Sequence, residues 1–256
     1  MTAALEHITS ASNPLIKELR KLSLDNTAYR KQGRVWLEGD HLCRAALVRG
    51  FKPALALFSE SYWPTAKMIY THTAIKNIVL PDVLFTSISG LESSASLGFV
   101  MDLPSAPTLD ANSASLILDR VQDAGNVGSM LRSAAAFGFG QVIALKGTAA
   151  LWSPKVLRAG MGAHFGLQLL EGMEPEALAA LAVPLVVTSS HGGVVLGQTR
   201  LPAPCAWVMG HEGQGVSEQL MALAAVKVRI AQPGGEESLN VAAAAAICLH
   251  FSSIKP

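Results

Sequence analysis

The chain has 256 residues, 50% of them hydrophobic and 15% charged, with a formal net charge of +1. That composition suits one large or two modest folded domains and excludes a disordered chain. The near-neutral charge gives no whole-protein field to recruit a polyanion, so any nucleic-acid contact must rest on a local patch. Three cysteines, Cys43, Cys205 and Cys248, form neither a CxxC pair nor a disulfide framework, which points to a reducing cytosol. The opening MTAALEHITSASNP lacks a basic segment followed by an apolar core, and no apolar run reaches the roughly 18 residues of a membrane span. The expectation is a soluble cytoplasmic protein.

From Pro14 to Arg34, apolar Leu15, Ile16, Leu19 and Leu22 recur at helical spacing. Lys17, Arg20, Lys21, Arg30, Lys31 and Arg34 crowd this stretch against only Glu18 and Asp25. A solvated helix face accounts for them, and so does a phosphate-contacting arm. RVWLEGDH reads as a strand breaking at Gly39 into a helix from His41 to Val48. Further short strands are expected at Pro53 to Phe58, Ile78 to Leu80 and Leu97 to Met101, an alternation that indicates a small α/β domain over residues 1–102. LPSAPTLDANSA, residues 103–114, has two prolines and no aromatic side chain and is the linker candidate.

Residues 115–256 have a more regular pattern. Strands are expected at Leu116 to Leu118, Gln141 to Leu145, Leu185 to Thr188, Ala206 to Met209 and Val226 to Ile230, with Phe165 to Leu170 extended. Helices are expected at Val127 to Ala136, Pro154 to Ala159, Glu176 to Leu181 and Val216 to Ala224. The nearly continuous apolar strands fit a doubly wound parallel sheet covered on both faces. Ligands bind such sheets beyond the carboxyl ends of the strands, which directs attention to three loops. In DRVQDAGNVGSMLR, Gly125, Asn126 and Gly128 open a helix bearing Arg132; an N-cap and a surface cation explain the pair equally simply. In GHEGQGVS, three glycines in six residues exceed what one tight turn needs and suit close approach to a ligand. In PGGEESLN, Pro233, Gly234 and Gly235 lead to Ser238, which is expected to cap a helix through Ala242–Ala246. WSPKVLRAGMGAHF adds Lys155 and Arg158 on one helix face.

GNVGSMLRSAAAFGF, VMGHEGQGVS and IAQPGGEESLNVAAAAAICL together resemble the three signature motifs of the SpoU (TrmH-like) family of RNA ribose 2′-O-methyltransferases, of the SPOUT class. The likeness covers Leu116 to Phe251. RVWLEGDHLCRAAL more weakly resembles the L30e-like RNA-binding domain that often precedes that catalytic domain. The resemblance implies a deep trefoil knot in the C-terminal domain, a homodimer formed through it, and S-adenosylmethionine as cofactor, with no metal. It implies cofactor binding at Thr188, Ser189, Gly210, Ile230 and Leu239, and a catalytic set of Asn126, Arg132, Glu212, Ser238 and Asn240. RNA would be held by Lys17, Arg20, Lys21, Arg30, Lys31 and Arg34 and, across the dimer, by Lys155 and Arg158. Three positions depart from the family pattern: His211 where Ser or Asn is more common, Ala242 where a Ser is common, and Gly160 where many relatives carry Ser. The implied reaction is methyl transfer to a ribose 2′-hydroxyl, with ribosomal RNA favoured over transfer RNA. A catalytically silent RNA-binding or assembly factor of the same fold is the alternative. A nucleotide-dependent oxidoreductase lacks its GxGxxG and following acidic residue.

Overall fold

The structure, a computed structural model, describes residues 4–91, 93–189, 192–234 and 238–254. The chain folds as two compact units, Met1–Ser105 with Trp152–Phe165, and Ala106–Leu151 with Gly166–Pro256.

The first unit runs β1 (Ala4–His7), α1 (Pro14–Leu24), α2 (Ala28–Gln32), β2 (Arg34–Glu38), α3 (Asp40–Val48), β3 (Leu55–Ser59), α4 (Trp63–Tyr70), β4 (Lys76–Leu80), α5 (Asp82–Thr86) and β5 (Leu97–Asp102). Its sheet has the order β1-β4-β3-β5-β2, and β5 lies antiparallel to both of its neighbours. α1 starts where it does because the Asn13 side chain accepts the Leu15 N–H at 2.9 Å and Pro14 needs no donor in the first turn. Its Ile16, Leu19 and Leu22 are buried, while Lys17 and Lys21 stay exposed.

The chain continues through β6 (Ser115–Leu118), α6 (Ala124–Ala136), β7 (Gln141–Leu145), α7 (Pro154–Gly160), β8 (Gln168–Met173), β9 (Leu185–Thr188), β10 (Val194–Val195), β11 (Ala206–Met209), α8 (Glu218–Leu223), β12 (Val226–Arg229) and α9 (Val241–Ser253). Of these, α7 belongs to the first unit and the rest build the second. The second sheet is parallel throughout, in the order β10-β12-β9-β11-β6-β7-β8. Alternate strand residues serve opposite faces. Ile117, Ile143, Val187 and Val208 join Leu178 and the α8 residue Leu220 in one core. On the other face α9 packs on β11 and on α6, and the Trp207 indole N–H donates to the Ser252 hydroxyl at 2.9 Å. Helices therefore cover both faces, which is why β6, β7 and β11 are buried along their whole length.

Residues 103–114 are tied down within each unit. The Leu103 N–H donates to the Gly33 carbonyl in the first unit (2.8 Å). In the second, Asp110 exchanges hydrogen bonds with the buried Gln141 amide at 2.8 and 3.1 Å.

Two expected elements differ in part or in kind. The run expected to be extended from Phe165 to Leu170 becomes strand only at Gln168, in β8; Phe165 and Gly166 belong to a 3-10 turn, Ala163–Gly166, because Met161 and Gly162 both take positive φ (49° and 87°) and turn the chain before β8. The helix at Glu176 to Leu181 is a 3-10 segment, Pro175–Ala180. The caps differ as well. α6 is capped by Asp123, whose carboxylate accepts the Asn126 N–H at 2.7 Å, so Asn126 sits inside the first turn rather than at the N-cap. α9 is capped not by Ser238 but by Asn240, whose side-chain oxygen accepts from Ala242 N–H and Ala243 N–H at 2.9 and 3.2 Å. Two residues beyond Ser238, the Asn240 oxygen reaches the unpaired first-turn donors.

Candidate functional site

Because β12, β9, β11 and β6 are adjacent and parallel, the loops leaving their carboxyl ends meet on one edge of the second sheet. Between them lies a cavity of about 410 Å³, within the size range of small-molecule sites. Thr188, Ser189, Gly210, Ile230 and Leu239, the five expected cofactor residues, all line it, as do Glu212 and Ser238. Gln214, Val241 and Ala244 also line it and were not singled out in the sequence. Gly235 lies outside the described residues.

The loop after β11 is folded on itself. A side chain at Gly210 would place its Cβ 2.2 Å from both Gly215 C and Val216 N, so the turn closes only over a glycine. The buried Asp119 carboxylate at the end of β6 accepts the Ser217 N–H at 2.7 Å and the Arg120 Nε at 2.9 Å. Arg120 in turn donates to the Gln214 side-chain oxygen at 2.9 Å, and its φ of 60° is unusual for a residue with a side chain. Asp119 and Arg120 thus brace two loops together. The one signal for them in the sequence is an acid directly after the apolar β6.

Beside the cavity, a polar network joins three loops. The Glu212 carboxylate accepts from Gln122 N–H (3.2 Å), Asp123 N–H (3.0 Å) and the Asn126 side-chain amide (3.2 Å). The Asn126 side-chain oxygen accepts from the Asn240 amide at 3.0 Å. Burial pushes the Glu212 pKa up, but the Asp123 N–H and the other donors outweigh it and hold the carboxyl below its ordinary value. Asn126, Glu212 and Asn240 are therefore in direct contact, with Ser238 on the cavity wall. Arg132 is not brought to them: it is exposed on α6, lines no part of the cavity and has no partner among the described residues.

The basic residues divide by how they are held. Arg34 pairs with Glu18 and Asp102 at 3.4 and 3.5 Å, and Arg20 donates to the Ser87 hydroxyl at 2.8 Å. Arg30 lies over the Tyr29 ring. Lys17, Lys21, Lys31 and Lys155 are exposed without a partner among the described residues. Arg158 is half-buried, with its Nη1 only 3.1 Å from where a Cβ on Gly90 would sit. The space beside Gly160 is taken by the His164 imidazole, which comes within 2.5 Å of where a Cβ would lie, so a serine there would require His164 to move.

A parallel α/β sheet binds its ligands beyond the carboxyl ends of its strands, where this glycine-lined cavity lies. The model of the SpoU rRNA methylase family matches residues 113–250, and the chain belongs to that family. The 23S rRNA (guanosine(2553)-2′-O)-methyltransferase RlmP of Bacillus subtilis is 29% identical over 96% of this chain and 98% of its own. A solved structure from Porphyromonas gingivalis, of the TrmH family of RNA methyltransferases, superposes with a TM-score of 0.82. It is 30% identical and covers 94% of this chain and 97% of its own. The AdoMet-bound rRNA methyltransferase of Sinorhizobium meliloti shares the fold, with a TM-score of 0.82 at 24% identity over 97% of each chain.

Proposed function

We propose that this protein transfers a methyl group from S-adenosylmethionine to a ribose 2′-hydroxyl of RNA, with ribosomal RNA as the substrate class. The observation that carries the reading is the junction of the Asn126–Glu212–Asn240 network with a cavity lined by all five expected cofactor residues. The residues fit the cofactor. Glycine backbone forms one wall, as close approach to a nucleoside requires, and Ile230, Leu239, Val241 and Ala244 supply apolar surface for a base. Bound there, S-adenosylmethionine supplies an electrophilic methyl group on a sulfonium. The ribosomal substrate is supported by the Bacillus subtilis relative, whose name specifies 23S rRNA and a 2′-O position.

The work left to the protein is alignment and charge. Asn126 and Asn240, fixed through Glu212, position the ribose, with Ser238 contributing from the cavity wall. Arg132 stabilises the developing alkoxide; a guanidinium keeps its proton at neutral pH, so the hydroxyl proton leaves to water or a phosphate oxygen. Within a single chain Arg132 stands apart from the cavity, an arrangement that suits a homodimer in which a second copy completes the site. Exposed apolar Ile247, Phe251 and Ile254 at the α9 end support such an interface. We further infer the knotted SPOUT topology for residues 115–256 and an L30e-like RNA-binding role for residues 1–102 on a linker at 103–114. Lys17, Arg20, Lys21, Arg30, Lys31, Arg34, Lys155 and Arg158 are the RNA-contacting set, and the cytoplasm is the location.

The test is methyl transfer from labelled S-adenosylmethionine to total RNA from a strain lacking the gene, with wild type and Arg132→Ala side by side and the labelled nucleotide mapped. Label on a ribose with wild type and none with the variant is expected. Cofactor binding without label on any RNA would favour an assembly factor instead.

A further inference from the structure

His211 follows Gly210 and is among the residues that line the cavity. Its Nδ1 accepts the Gly213 N–H at 3.0 Å and the Gln214 N–H at 3.3 Å. Its backbone pairs both ways with Gly215, at 3.0 and 2.8 Å. One residue therefore closes the whole 211–215 turn. A ring nitrogen that accepts two N–H groups carries no proton, so in this arrangement the imidazole proton is on Nε2. Nε2 has no partner among the described residues. The neighbouring Glu212 carboxylate is already engaged by Gln122, Asp123 and Asn126.

We propose that His211 is a cofactor-binding residue with two separable duties. Its Nδ1 clasps the glycine turn, and its Nε2–H donates a hydrogen bond to an oxygen or ring-nitrogen acceptor of S-adenosylmethionine. The proposal rests on the functional reading above. Fixing the tautomer through one nitrogen so that the other meets a ligand is the same logic by which a hydrogen bond to one ring nitrogen orients a histidine at a metal. It also gives a physical use to a side chain otherwise explained only as a loop residue.

Amide replacements separate the two duties. The side-chain oxygen of Asn replaces the Nδ1 acceptor but leaves no donor at Nε2, whereas the longer Gln returns a donor near Nε2. Binding of S-adenosylhomocysteine, measured by calorimetry, is expected to weaken about five- to tenfold in His211→Asn, as for loss of one neutral hydrogen bond. The melting temperature of the free protein should stay at the wild-type value. His211→Gln should bind more tightly than His211→Ala, and the cofactor KM should rise while the RNA KM is unchanged. In the unaltered protein, the ¹⁵N resonance of His211 Nε2 should move on cofactor binding while Nδ1 stays put. Equal affinity of wild type, Asn and Ala variants overturns the proposal, as does an unmoved Nε2 resonance. A wild-type protein that binds no S-adenosylhomocysteine overturns the functional reading itself, and this proposal falls with it.

Discussion

Asn126 holds three loops together with one amide, donating to Glu212 and accepting from Asn240. Asn240 in turn spends its oxygen on the α9 cap and its amide on Asn126, so its two ends are separable by substitution. Asp caps a helix as well as Asn does, whereas Ala forfeits about 1 kcal/mol. Asn240→Asp should therefore melt with the wild type, yet it presents an acceptor to the Asn126 oxygen, whose own amide is held by Glu212. Methyl transfer should fall at least about tenfold, the cost of one misdirected polar contact. Asn240→Ala should lose both stability and activity, and an Asn240→Asp enzyme with wild-type turnover would remove the network from the mechanism. Glu212 gives a pH signature. Its folded pKa is depressed below the ordinary 4.5, so its stabilisation is full above that value and is lost as pH falls through the folded value. Melting curves of wild type and Glu212→Gln, followed from neutral to acid pH, should differ by a constant above pH 4.5 and converge below it. Parallel curves throughout would mean the carboxylate is not held as described.

Elements with a strong period or a continuous apolar core were legible in the sequence. β7, β9 and β11 have the expected boundaries, because buried parallel strands write themselves as nearly continuous apolar runs. Elements set by tertiary pairing were not. β10 is only Val194–Val195, defined by its register with β12, and β1 is an exposed edge strand paired with β4. α4 has Pro64 in its first turn but no side-chain cap at Tyr62, and it leaves Met68 and Ile69 exposed, so its start signal is weak and it has no clear apolar stripe. In the site, the glycines were readable, but the choice of Asn240 over Ser238 as cap was not, since SLN offers two residues of equal capping strength. An added methyl at Gly210 meets Gly215 and Val216 backbone, which no side-chain rotation can relieve. Overpacking of this kind costs about 1–3 kcal/mol, here drawn from the geometry of the binding turn. Gly210→Ala should bind S-adenosylhomocysteine about 10- to 100-fold more weakly. Titration calorimetry reads it directly, and unchanged affinity would mean the turn is not the cofactor's wall.

Over the whole molecule, a net charge of +1 leaves RNA binding to be carried by position rather than by total charge. The structure narrows the candidates. Arg34 is engaged by two carboxylates, Arg20 by Ser87, and Arg30 by Tyr29, whereas Lys17, Lys21 and Lys31 stand exposed in the first unit. An ammonium already solvated and unpaired loses least on meeting a phosphate, so these three should contribute most of the electrostatic term. Each lysine that neutralises a phosphate adds about 0.7 to 0.9 to the slope of log K against log salt. Reversing all three to Glu should flatten that slope by about two units or more and weaken RNA binding uniformly across sequences. The cavity proposed for the cofactor is lined wholly by residues of the second unit, so S-adenosylhomocysteine affinity should be unchanged by the same substitutions. Filter binding over a salt series, paired with calorimetry on the same preparation, measures both. Loss of RNA and cofactor affinity in equal proportion would show that the two units do not divide the work; loss of neither would move the RNA surface to Lys155 and the paired arginines.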